Sequence, residues 1–203
     1  MMPTITVVGR AEVAVVPDEA NVGLSVHAIG ATPADAYAQA GERARVLVSV
    51  LDELEISPAS RSTSGIWVDE EPEPDGENRR PSEFRAGERL SVRVAPETVE
   101  GLLEAAVARA EAQVQGPHWI VAPNNPARSE ALGAAAANAR ARAEALAAGL
   151  GVRVGSVAEA TEDWPSHAPY GASFAPIMNE MPVEGGQATV VGTVSVTFEV
   201  EPA

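Results

Sequence analysis

The sequence contains no cysteine and no lysine. Without thiols it can form no disulfide, no thiolate metal site and no cysteine nucleophile, and cysteine usage leaves the redox compartment open. Without an ε-amino group it has no Schiff-base chemistry, no P-loop lysine and no ammonium general base. Positive charge is scarce: 14 arginines stand against 29 acids, for a net charge of −15. The arginines are scattered along the chain, so a nucleic-acid partner, which needs clustered bases against its phosphates, is not expected. No window holds the roughly 20 consecutive apolar residues that a spanning helix requires, so no membrane insertion is expected. The opening "MMPTITVVGRAEVAVVPDEA" alternates at once and shows no basic stretch followed by an apolar run. That predicts a cytoplasmic protein, with export as the alternative if a leader preceded this chain.

What is present is enough for a core: 203 residues, 45% of them apolar. The closing "MPVEGGQATVVGTVSVTFEV" places Val190, Gly192, Val194, Val196, Phe198 and Val200 on one face of a strand, with Thr189, Thr193, Ser195, Thr197 and Glu199 on the other. Such alternation belongs to an antiparallel sheet with one face covered. The first two strands are marked by Ile5, Val7, Ala11, Val13 and Val15, then by Val22, Leu24, Val26 and Ala28; "PDE" between them predicts a hairpin. Thr32, Pro33 and Asp35 predict a capped helix start, followed by an apolar stripe of Tyr37, Ala40, Ala44, Leu47, Leu51 and Leu54.

"RSTSGIWVDEE" and "GERLSVRVA" read as further strands, the second with Leu90, Val92 and Val94 inward and Arg89, Ser91 and Arg93 outward. A short helix from about Pro96 carries Val99, Leu103, Ala106 and Ala110 on one stripe, and "AQVQGPHWIVA" returns as a strand. From Pro126 to Leu150 the chain is Ala-rich and helical, with Leu132, Ala136, Ala139, Ala143, Leu146 and Leu150 on a seven-residue repeat. About three heptads without a consistent flanking charge pattern favour a helix lying on a sheet over a coiled coil. Gly149 and Gly151 end it before the strand "VRVGSVAEAT". The expected fold is α+β: antiparallel-rich sheets packed by about three amphipathic helices.

Chemistry-bearing patterns are sparse. There is no G-x-S-x-G, G-x-G-x-x-G or Walker motif, and no catalytic residue can be named. The acidic loop 69–83 sets Asp69, Glu71, Glu73, Asp75 and Glu77 at alternating positions, yet an EF-hand register begun at Glu71 finds Ser82 at its twelfth place. It reads as a solvated loop, without a metal; calcium-dependent assembly through it is the alternative. His27, His118 and His167 are too far apart for a local metal motif, and His27 alternates onto the polar face with Ser25. No cofactor is expected. The Pro-rich loop 162–186 concentrates Trp164, His167, Tyr170 and Phe174 in a chain that is only 4% aromatic. These are the candidate contacts for a protein partner or a neighbouring subunit; the plainer reading is a cluster that pins the loop to the sheet.

Five passages in this order, "ITVVGRAEVAVVPDEANVGLSV", "TPADAYAQA", "STSGIWV", "ARSEALGAAAANARARAEALAAGLGVRVGSV" and the closing strand with its lead-in, resemble the SIMPL domain family, formerly a domain of unknown function. The resemblance implies an α+β fold and a tendency to form oligomers. Many bacterial members are periplasmic or outer-membrane-associated, and some are linked to oxidative-stress tolerance. It supplies no catalytic residues. The expectation is one domain over 1–203, or two subdomains, acting as a non-enzymatic, homo-oligomeric scaffold or binding module in stress response. The alternative is a small-ligand binder or enzyme with a pocket between helices and sheet.

Overall fold

In the computed structural model, which describes residues 3–70, 83–162 and 185–202, the elements run β1 (Thr4–Val15), β2 (Glu19–Gly30), α1 (Pro33–Glu53), β3 (Arg61–Glu70), β4 (Phe84–Val94), α2 (Val99–Ala110), β5 (Gln113–Ile120), α3 (Pro126–Leu150), β6 (Val152–Glu162) and β7 (Ala188–Pro202). Short 3-10 turns at Pro58–Ser60 and Pro96–Thr98 lead into β3 and α2. The described residues form two antiparallel sheets, ordered β1-β7-β6 and β3-β4-β2-β5, with three helices. The fold is α+β. Contacts divide the chain into two compact units, one from residues 3–17, 121–162 and 185–202, the other from Asp18–Ile120.

In the second unit, alternation along β2 buries Ala20, Val22, Leu24, Val26 and Ala28 on one face, and β4 adds Leu90, Val92 and Val94 to it. The helices α1 and α2 cover this face with Leu47, Leu51, Val99 and Leu102. Fully burying each such side chain contributes about 1.5–3 kcal/mol, so this stripe dominates the unit's stability. The α1 start is as the sequence predicts: the Asp35 backbone N–H donates to Thr32 Oγ1 at 3.1 Å, and Pro33 holds the first helical position. The Asp35 carboxylate returns the contact by accepting from the Thr32 hydroxyl, at 2.8 Å. Tyr37 leaves the expected stripe: it is 55% exposed, and Ala36 faces the core in its place.

The first unit departs from expectation at β1. β1 and β2 form no hairpin: β1 pairs with β7 from Thr4↔Glu199 to Val15↔Ala188, while β2 pairs with β4 and β5 in the other sheet. Alternation decides which side chains share a face and leaves the neighbouring strand open. The closing strand keeps its predicted face, with Val190, Gly192, Val196 and Phe198 buried.

Helix α3 lies on this sheet, but by a stripe that shares only Ala139 and Ala143 with the heptad. Ala127, Ala131, Ala135, Ala139, Ala143 and Ala147 are buried, while Leu146 and Leu150 are 48% and 64% exposed. The reason is steric. A Cβ at Gly9 of β1 would overlap the Ala135 carbonyl oxygen and the Ala139 side chain, and one at Gly192 of β7 would overlap the Ala131 carbonyl. Helix and sheet backbones therefore meet along an every-fourth-residue alanine ridge with no room for leucine. Asn125 caps the helix by accepting from Ala127 N–H at 2.9 Å, and Gly151 ends it in the left-handed region at φ 71°.

Candidate functional site

Two surfaces of the four-stranded sheet collect functional side chains. The first is an open groove of about 410 Å³, lined by Gly41, Ala44, Arg45, Val48, Ser49 and Asp52 of α1 and by Glu88 of β4. It exists because the helices cover the central strands and leave the helix-side face of the edge strand β3 bare. On that face β3 presents Ile66, 58% exposed, and Val68, 41% exposed, opposite Glu88 and Ala86.

The charged groups around the groove are already engaged. Asp52 accepts from Arg61, whose other guanidinium nitrogen donates to the Val48 carbonyl at 3.3 Å, tying β3 to α1. Glu88 accepts from the Thr63 hydroxyl at 2.8 Å. Arg45 donates to Glu42 at 2.5 Å, and that carboxylate holds its guanidinium above the ordinary arginine pKa. Farther along α1, Glu53 takes an ion pair from Arg109 of α2 at 2.7 Å, which holds the Glu53 carboxyl below the usual carboxylate range. Apart from the Arg45–Glu42 pair within α1, these are tethers between elements. The groove offers apolar contact and satisfied hydrogen-bonding groups, an arrangement suited to binding.

The second surface is the opposite face of the same sheet, on which no helix packs among the described residues. Register places Arg85, Arg89 and Arg93 of β4 there, beside Asn21, Ser25 and His27 of β2 and Trp67 of β3. Trp67 lies flat over Gly87, where any Cβ would overlap its ring. The Arg89 guanidinium sits 5.7 Å from the centre of that ring. Ser91 donates to Asn21 at 2.8 Å, and Arg93 stands 3.7 Å from Glu19.

The family model SIMPL, described as a protein of unknown function (DUF541), matches residues 5–198. The chain belongs to the SIMPL family. No curated protein matches it.

In this SIMPL protein, Trp164, His167, Tyr170 and Phe174 lie outside the described residues, as do Glu71, Glu73, Asp75 and Glu77 of the acidic loop. Asp69 is the penultimate residue of β3 and is exposed. His27 lies on the polar face with Ser25, as its alternation predicts. The fold does not bring His118 to it: His118 pairs with Asn21, six residues from His27 along β2, a separation of about 20 Å. Among the described residues no group of three or more His, Asp or Glu is placed to hold a metal ion. Among them, too, no helix is long and apolar enough to cross a membrane. Sequence reasoning missed the groove and the full arginine row. The row had a legible signal, since Arg89 and Arg93 already alternate outward and Arg85 continues their spacing.

Proposed function

We propose that this SIMPL protein is a non-enzymatic scaffold that self-associates through the open edges of its sheets. The observation that carries the reading is strand β3, which has no neighbour on its outer side among the described strands and carries two exposed β-branched side chains, Ile66 and Val68. Such an edge is a template for another strand, and pairing with a second copy covers both at once. Edge strand β6 supports it with Val157, 53% exposed. The stress-response role stays with this reading as a proposal from the family resemblance, and the cytoplasmic address stays as a proposal beside it.

Size exclusion with light scattering over a concentration series is the test. A discrete mass above that of one chain, returned to the monomer by Ile66→Lys with Val68→Lys, is expected. A wild-type monomer at high concentration would sink the proposal.

The groove beside α1 favours a second reading, a binder of small ligands that have an apolar body and one polar end. Thermal-shift screening checks it. A hit whose stabilisation is lost in Val48→Glu supports a ligand site there, and hits indifferent to that change remove it.

A further inference from the structure

We infer that the helix-free face of the β3-β4-β2-β5 sheet docks an extended, carboxylate-rich polypeptide along strand β4. The inference goes beyond self-association through sheet edges, because it concerns a face and a different partner.

Arg85, Arg89 and Arg93 stand at every fourth residue of one strand, so they form a straight row with steps of about 14 Å. Register puts two carboxylates on the same face, Glu19 and Asp69, in a chain that carries 29 acids. The guanidinium groups are poorly matched internally. Arg93 has only the 3.7 Å approach of Glu19, and Arg89 rests on the Trp67 ring. Asp69 lies opposite Arg85 in register without forming an ion pair, and the Arg85 Nε is shut off from solvent with no acceptor. A guanidinium with no carboxylate partner among the described residues keeps its pairing capacity for an arriving one.

The partner's chemistry follows from the spacing. An extended chain repeats its side chains on one face every ~7 Å, so acids at alternate positions meet each arginine at every second acid. The planar fork of a guanidinium matches a carboxylate in two parallel hydrogen bonds. A single-stranded nucleic acid is the weaker fit. It stacks successive bases on several large rings, whereas this face has one, Trp67, already under Arg89; His27, His118 and Ile29 share the face with Ser, Asn, Gly and Gln, and 29 acids against 14 arginines repel a phosphate backbone.

The test is fluorescence anisotropy of the full chain with a labelled peptide of alternating Glu and Ser, about 12 residues long so that it spans the row. Saturable binding at low salt is expected, weakening as salt rises and absent for the Gln-Ser peptide. Combined Arg85→Gln, Arg89→Gln and Arg93→Gln should weaken it at least about tenfold, since several charge-assisted pairs are lost. The corresponding triple Lys variant keeps the charge without the fork and should fall between. Arg140→Gln, on α3 in the other unit, should leave binding unchanged. If the triple Gln variant does not fold, as judged by circular dichroism, the exposed single variant Arg89→Gln takes its place. No binding by the wild type, equal binding by folded Gln variants, or tighter binding of a single-stranded oligonucleotide of matched charge overturns the inference. The peptide result is independent of the solution mass, so failure here and failure of self-association are distinguishable.

Discussion

Gly192 of β7 lies directly beneath Ala131 of α3, so close that a Cβ on the glycine would overlap the alanine's carbonyl oxygen. Valine would gain up to about 1 kcal/mol in strand preference at this position. Overpacking a tight contact costs about 1–3 kcal/mol and wins here, because the atom in the way is backbone and cannot swing aside. Gly192→Val should therefore lower the urea midpoint with the slope unchanged. Wild-type stability in that variant would refute the close approach.

The alanine ridge makes a paired prediction on α3. Leu146→Gln, on the exposed side, should change stability by less than about 0.5 kcal/mol. Ala139→Leu, on the buried ridge, should cost about 1–3 kcal/mol even though it adds an apolar group. The reverse order in chemical denaturation would mean that the leucine stripe faces the sheet.

At the start of α1, Thr32 Oγ1 accepts from the Asp35 N–H. Thr32→Ala leaves that donor without its cap and should cost about 1 kcal/mol, whereas Thr32→Ser should cost far less. Thermal melts of the two variants make the comparison.

The ion pair between Glu53 and Arg109 predicts a pH dependence. The Glu53 pKa is lowered in the folded state, so the folded chain binds that proton less readily than the unfolded one. The stabilisation is therefore present above the unfolded value of about 4.3 and is lost as pH falls through the lower folded value. The melting-temperature gap between wild type and Glu53→Gln should shrink as pH falls through that window. A gap constant down to the folded pKa would remove the pair as a source of stability.

Much of the fold was legible because each strand is covered on one side. Leu24 and Val26 in β2, Leu90 and Val92 in β4, and Val196 and Phe198 in β7 sit on the faces their alternation requires. Partners were less legible, as β1 shows: "PDE" reads as a turn, yet the strands on either side enter different sheets. Helix α3 misled for another reason. Its covered and open faces are both rich in alanine, and Leu146 and Leu150 point outward, so hydrophobicity alone marks the wrong side. Of the site, outward alternation gave Arg89 and Arg93. The groove beside α1 could not be read, since it arises where a helix stops short of covering an edge strand.

The pairing of β1 with β7 sets an order on synthesis. When the ribosome has released Thr4–Val15, the strand it must pair with, Ala188–Pro202, is the last described element still to be made. Every pairing in the sheet of Asp18–Ile120, by contrast, is available once Ile120 has emerged. Strand β1 is therefore among the last to find its neighbour, and while residues 16–187 are being made it is an uncovered edge. A holdase that masks such edges would be engaged longest by the β1 segment.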